Sequence, residues 1–338
     1  MPRLRRADCS DAGLARRRNG RGFVYLDPEG HRLRDEESLA RIRELAIPPA
    51  WADVWICRDP LGHLQATGID AAGRKQYLYH PSWRLRRDRA KFDAMLEFAV
   101  TLPRLRRRAR RDLRGDGLTH DRVLACALVL LDLGFFRIGS ESYAEQNGSY
   151  GLTTMLKRHV RLADDQLIFD YLAKGGRRRV QAIADPAVRE VVSELKRRRG
   201  GGPRLLAYRD ERRWVELRSE DLNDRIKALT GGDFSAKDFR TWNATVLAAV
   251  AVAGHGAAVD SGASRKRAVN AAVKAVAAYL GNTPAVCRAS YIDPRVFDRF
   301  RAGHTIAETL PRPLDRVDLA KRSAREEVES AVLDLIGD

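Results

Sequence analysis

Tyr291 lies nine residues after Asn282 in the stretch LGNTPAVCRASYIDP, and three cations stand upstream of it: Arg137, Lys174 and Arg240. A phenol gives up its proton only near pH ~10, so at neutral pH it attacks only where growing negative charge is strongly stabilised. Cationic groups aimed at one phosphate supply that stabilisation, so the chemistry within reach of this set is attack of a tyrosine on a phosphodiester. Each residue alone is ambiguous. A tyrosine near a helix end is ordinarily a half-buried packing residue. Arg137 follows the apolar GFF and needs either a carboxylate, for which Glu141 and Glu145 are at hand, or an anionic ligand. Lys174 at a hairpin tip is by default solvated, and Arg240 near a helix N-terminus opposes the dipole unless an anion is bound there.

The elements that must position these groups can be read from periodicity. THDRVLACALVLLDLGFF is continuously apolar, as in a helix buried on most sides, and delivers Arg137 at its end. VRLADDQLIFDYLAKGGRRRVQAI alternates, and Gly175 with Gly176 marks a hairpin turn that puts Lys174 at its tip. PAVREVVSELKRRR opens with proline in its first turn and ends at GGGP. SAKDFRTWNATVLAAVAVAG predicts a helix with Ser235 as N-cap and Asp238 three residues on, so Arg240 falls within its first two turns. A further helix ends at Gly281, and Thr283 with Pro284 restarts the chain as a short helix carrying Tyr291 before Pro294.

Around residue 85 the composition changes. Ahead of it, DVWICRDPLGHLQATGIDAAGRKQYLYHP predicts three short strands, preceded by one helix over EESLARIREL. The fold class expected is α+β: a small β-rich domain over 1–85, and a larger, mainly helical domain over 86–338 with a short β-hairpin carrying Lys174. Between Arg84 and Arg114 twelve Arg and Lys face four Asp and Glu, too one-sided for i,i+4 pairing, and this stretch is expected to be a phosphate-facing connector.

The whole chain carries 62 Lys and Arg against 45 Asp and Glu, a net +17, which points to a polyanionic partner. No apolar run is long enough to span a membrane and no signal-peptide pattern opens the sequence, so a soluble, cytoplasmic protein bound to DNA rather than membrane is expected. The four cysteines, Cys9, Cys57, Cys126 and Cys287, form no CxxC pair and lie beside no histidine, which indicates neither a disulfide framework nor a zinc site. There is no GxxxxGK[ST] loop and no acidic cluster suited to magnesium, so no ATP, cofactor or metal is expected.

The segments GFFRIGSESYAEQNGSYGLTT, FDYLAKGGRRRVQ, KDFRTWNATVLAA and LGNTPAVCRASYIDP resemble, in order and spacing, the catalytic domain of type IB DNA topoisomerases of the bacterial and poxvirus kind. The spacings of 37 residues from Arg137 to Lys174, 42 from Arg240 to Asn282 and 9 from Asn282 to Tyr291 are similar to that family's, and GRKQYLYHP is similar to its base-contacting strand. The resemblance, over about residues 20 to 310, implies a two-domain clamp on duplex DNA, acting as a monomer on supercoiled substrate. It implies that Tyr291 is the nucleophile, forming a 3′-phosphotyrosyl bond, that Arg137 and Arg240 hold the non-bridging oxygens, and that Lys174 is the general acid for the 5′-oxygen. Asn282 stands where many relatives have histidine, and its amide can donate a hydrogen bond but cannot carry charge. DNA contacts are implied for Lys237, Arg74, Gln76, Tyr77 and Tyr79, and backbone contacts for Arg177, Arg178 and Arg179.

Two other readings remain. Tyrosine recombinases share this chemistry, but they usually carry a histidine two residues before the second arginine, where this chain has Asp238, and they exchange a C-terminal segment between subunits. The terminal stretch DLAKRSAREEVESAVLDLI is amphipathic and suits packing at home or on a partner. A non-catalytic basic DNA-binding protein would explain the charge but not the tyrosine with its cations.

Overall fold

The computed structural model describes residues 2–256, 261–317 and 322–337. The chain divides into two units, 1–91 and 92–338.

The first unit is a five-stranded antiparallel sheet in the order β2-β1-β3-β4-β5, built from β1 (Leu14–Asn19), β2 (Gly22–Leu26), β3 (Ala52–Ile56), β4 (Leu64–Ile69) and β5 (Lys75–Tyr79). Helix α1 (Glu36–Glu44) starts at Asp35, whose carboxylate accepts the Ser38 N–H. Leu14, Ile42, Val54, Ile56 and Ala66 form the core. The β1–β2 hairpin is an addition to the three strands expected. Its first strand reads LARRRN, which hides the alternation because only Leu14 is buried.

Helix α2 (Pro81–Asp112) runs through the division between the units. In its second part Phe92, Met95, Phe98, Leu102, Leu105 and Ala109 recur every three or four residues and are buried, the stripe of an amphipathic helix. This corrects the reading of the whole stretch as phosphate-facing. Arg106 is 6% exposed and bonds Asp132 at 2.9 and 3.0 Å and Glu329 at 2.5 and 2.8 Å. Arg110 pairs with Asp185 at 2.6 Å. The carboxylates that neutralise them come from distant parts of the chain, so no local charge count could find them. Arg84, Arg86, Arg87, Arg104, Arg107 and Arg111 remain exposed.

The second unit is mainly helical. Helix α3 (His120–Gly134) is buried along nearly its whole length, as its unbroken apolar run predicts. After α4 (Glu141–Asn147) comes a three-stranded antiparallel sheet, β6 (Val160–Ala163), β7 (Gln166–Ala173) and β8 (Arg177–Ile183), in the order β6-β7-β8. Lys174, Gly175 and Gly176 form the β7–β8 turn, both glycines with positive φ. Then follow α5 (Pro186–Arg197), the small hairpin β9 (Ala207–Asp210) and β10 (Arg213–Glu216), and helices α6 (Ser219–Thr230), α7 (Ala236–Ala253), α8 (Gly262–Leu280), α9 (Pro284–Ser290), α10 (Pro294–Arg301) and α11 (Arg322–Ile336). Trp242 and Phe239 of α7 pack with Phe98, and Phe136 meets Phe169 of β7 edge-on at 4.9 Å. The architecture is α+β. Helix α11 packs at home: Val328, Val332 and Ile336 are buried in the core of this unit, while the start of the amphipathic stretch, 318–321, lies outside the described residues. Among the described residues no helix is long and apolar enough to cross a membrane, and all four cysteines are free thiols.

Candidate active site

Arg137 sits just past the end of α3. The chain leaves that helix through Phe135, a left-handed residue at φ 53°, and then runs extended beside a second segment. Leu152 N–H donates to the Arg137 carbonyl and Thr153 N–H to that of Ile138, both at 2.8 Å. The approach is close enough that a Cβ on Gly151 would stand 2.5 Å from the Gly139 Cα and 2.7 Å from the Arg137 carbonyl oxygen. Arg137 is thus held by its backbone against the 151–153 segment. Its guanidinium Nη2 donates to the amide oxygen of Asn282. Glu141 and Glu145, considered above as partners, instead line a separate groove with Arg204, Trp214 and Glu216.

Arg240 lies in the second turn of α7, which opens with the expected capping box: Ser235 accepts from Lys237 N–H, and Asp238 accepts from Ser235 N–H at 2.8 Å. Arg240 is 4% exposed. Its Nη1 donates to the Phe135 carbonyl and its Nη2 to the Leu280 carbonyl at 3.0 Å. One side chain thereby ties the residue two before Arg137 to the residue two before Asn282. Its Cζ stands 5.3 Å from the centroid of the Tyr291 ring. Burial, then repulsion by Arg137, pushes the Arg240 guanidinium down to about 10, and the Tyr291 phenol acts against that shift. At pH 7 it is still charged.

Asn282 follows Gly281, the left-handed C-cap of α8 at φ 64°. Thr283 caps α9 with Pro284 at its first position, and Tyr291 ends that helix, half-buried. The turn after Tyr291 is pinned by Thr245, whose hydroxyl accepts the Asp293 N–H at 3.1 Å.

Because the Asn282 oxygen is taken by Arg137, its Nδ2 faces the other way. Three buried donors here have no protein acceptor among the described residues: Asn282 Nδ2, Arg240 Nε and Arg179 Nη1. Leaving a buried N–H unpaired costs ~1–3 kcal/mol, more when it is charged, so these three groups are suited to an anionic partner.

Arg137, Arg240, Asn282 and Tyr291 are therefore brought together. Lys174 is exposed at the hairpin tip, and Lys237 is exposed in the first turn of α7, three residues before Arg240. Of the three arginines on β8, Arg177 is exposed and Arg178 is exposed but paired with Asp170 at 2.6 Å. Arg179 is placed differently from these two. It turns inward, donates to the Tyr279 carbonyl at 2.6 Å, and a Cβ on Gly281 would lie 2.8 Å from its Nη1. Alternation along β8 makes Arg179 and Gln181 share a face, and that was the available signal. Thr245 and Gly151 belong to the site with nothing local in the sequence to mark them.

In the first unit Tyr77 and Tyr79 are 44% and 36% exposed and their rings stack with centroids 6.2 Å apart, so they are not a buried pair on the sheet core. Gln76 and Arg74 both hydrogen-bond the Asp70 carboxylate, at 2.8 and 3.0 Å, and the Arg74 side chain, with its backbone N–H, holds that carboxyl down at about 2.

A family model described as "Eukaryotic DNA topoisomerase I, catalytic core" matches residues 80–306, and one described as "Bacterial DNA topoisomerase IB, N-terminal domain" matches residues 22–70. The chain is 30% identical to DNA topoisomerase 1B of Acanthamoeba polyphaga mimivirus, over 83% of this chain and 85% of that one. It is 20% identical to DNA topoisomerase 1B of vaccinia virus (strain Copenhagen), over 78% of this chain and 82% of the relative. A catalytic-core match over most of the chain, and a relative of this identity along most of its length, agree with Arg137, Arg240 and Asn282 being brought together with Tyr291: the chain belongs to the type IB DNA topoisomerases.

Proposed function

We propose that this enzyme relaxes positive and negative supercoils in duplex DNA by cutting one strand through Tyr291, letting the free end rotate, and resealing, without ATP or metal. In the first step the Tyr291 phenolic oxygen attacks phosphorus, a 3′-phosphotyrosyl bond forms, and the bond to the 5′-oxygen breaks. The observation that carries this is the set of buried, unpaired donors of Asn282 and Arg240 around a half-buried Tyr291. Guanidiniums and an amide already in place stabilise charge growing on the non-bridging oxygens without reorganising, and Arg137 joins them through Asn282.

Lys174 is assigned the general acid. An alkoxide is a poor leaving group, and the hairpin tip gives an ammonium the reach to protonate it as it departs. Reversal of these steps reseals the strand, so the bond energy is conserved and no external source is needed. Lys237, in the turn ahead of Arg240, is assigned a contact at the cleavage site. Tyr77 and Tyr79, solvent-facing and stacked, with Gln76 and Arg74, are assigned to contact DNA from the first unit, and Arg177 and Arg178 to contact backbone phosphates. A monomer in the cytoplasm, associated with the nucleoid, is the setting that fits a net +17 and a terminal helix packed at home. The recombinase reading is not favoured: Asp238 caps its own helix.

The test is relaxation of supercoiled plasmid in EDTA without ATP, stopped with detergent to trap protein-linked ends. The natural chain should relax both signs and remain on a 3′ end, and Tyr291→Phe should do neither. DNA binding without relaxation or trapping would overturn the assignment.

A further inference from the structure

Strand β8 is the return strand of the Lys174 hairpin and the edge of its sheet: it pairs with β7 on one side, and no other strand in the order β6-β7-β8 adjoins it. What ties it to the helices is side chains. Arg179 and Gln181 are two residues apart and so share one face. Arg179 Nη2 donates to the carbonyl of Tyr279 in the last turn of α8, three residues before Asn282. Gln181 Nε2 donates to the carbonyl of Gly134, the last residue of α3 and three before Arg137. The amide of Gln181 is oriented by Tyr171 of β7, whose buried hydroxyl donates to its oxygen at 3.3 Å. Both acceptors are end-of-helix carbonyls, which have no partner within their own helices and take side-chain donors readily. A groove lined by Arg179, Gln181, Tyr279, Gly281 and Asn282 follows this line.

From this geometry we propose that Arg179 and Gln181 are positioning residues that latch the general-acid hairpin to the two helix ends carrying Arg137 and Asn282. The inference rests on the reading of Lys174 as the acid for the 5′-oxygen. The hairpin tip is five residues from Arg179, so small rotations of β8 against the helices are magnified at Lys174. Loosening the latch would move the ammonium away from the leaving oxygen, while Tyr291, on α9, and Arg240, on α7, keep their own supports.

That selectivity gives a readout that general damage to the fold would not. A substrate with sulfur in place of the bridging 5′-oxygen leaves as a thiolate, which needs little protonation. Single-turnover cleavage is measured on oxygen and sulfur substrates for the natural chain, Arg179→Met, Gln181→Glu and Lys174→Ala, with DNA binding and thermal unfolding of each variant alongside. Gln181→Glu keeps the shape of the side chain but replaces the donor to Gly134 with a carboxylate. Gln181→Glu should cleave the oxygen substrate at least tenfold more slowly, and sulfur should bring it back to within about threefold of the natural chain; Arg179→Met, which also removes the unpaired Nη1 donor, should be slowed more on oxygen than on sulfur without full recovery. Equal slowing on both substrates, or no slowing on oxygen, overturns the latch. If Lys174→Ala is itself not rescued by sulfur, the assignment of the acid fails first, and a latch defect common to both substrates then counts against the positioning role as well.

Discussion

The guanidinium of Arg240 stands 5.3 Å over the ring of Tyr291 with both Nη atoms committed to main-chain carbonyls, those of Phe135 and Leu280. Its Nε, buried and without a hydrogen-bond partner among the described residues, is left to meet an oxygen beside the phenol. The residue therefore fixes the geometry of the site and faces the reacting group at once, which is a demand on shape as much as on charge.

Arg240→Lys tests that demand. An ammonium keeps the charge but cannot reach two carbonyls and present a third donor. Single-turnover cleavage should fall by about 100-fold or more, the size expected for one lost preorganised donor, while DNA affinity changes by less than about tenfold. A loss in affinity equal to the loss in rate would mean that Arg240 serves binding alone.

At Asn282 the amide orientation is the point at issue. Its oxygen accepts from Arg137, so its NH2 is left for the substrate. Asn282→Asp is nearly isosteric and would keep, even strengthen, the pairing with Arg137, but it sets a second carboxylate oxygen against a phosphate. Asn282→Ala only removes the donor. The aspartate should be the slower of the two in single-turnover cleavage, by about tenfold, because repulsion adds to the missing bond. If alanine is slower, the residue acts mainly by holding Arg137.

Much of this site is legible in the chain because its parts sit at element ends, where sequence signals are strongest. Ser235 and Asp238 announce the start of α7 and so the depth of Arg240, Gly281 announces the stop before Asn282, and Gly175 with Gly176 announces the turn at Lys174. What stayed hidden depends on pairs far apart in sequence. Arg106 reads as one more cation in a basic run until Asp132 and Glu329, 26 and 223 residues away, are placed around it. Arg179 looks like its neighbours Arg177 and Arg178 until the end of α8 is laid beside it. The β1–β2 hairpin is masked because a strand with a single buried residue carries no usable alternation.

Gly151 is required by contact, since it is where the segment 151–153 pairs with 137–138. The atoms a Cβ would meet are backbone atoms of Gly139 and Arg137, which cannot swing aside as a side chain could. Gly151→Ala should cost about 2 kcal/mol or more in urea unfolding and should slow cleavage beyond what the lost stability explains, because the strain is relieved by moving Arg137. A variant that is destabilised yet cleaves at the natural rate under folding conditions would show that the Arg137 backbone is free to shift.

The ion pairs among Arg106, Asp132, Arg325 and Glu329 join α2, α3 and α11 behind the site, and Asn243, one turn after Arg240, shares Arg325 and donates to the Asp132 carbonyl at 3.1 Å. Burial works to raise the Asp132 carboxyl, but the arginines outweigh it and hold it below its ordinary value. A group depressed in this way stabilises the fold at every pH above its unfolded value, near pH ~4, and that contribution is lost as the pH falls through the native value. Arg106→Met leaves two buried carboxylates with one fewer cation and should destabilise the protein by about 3 kcal/mol or more at neutral pH. Compared by urea unfolding, the gap between variant and natural chain should be constant from about pH 8 down to 5 and narrow below about 4, since protonation removes from the natural chain what the mutation has already removed. A gap that widens on acidification would mean that Asp132 is not the group Arg106 holds ionised.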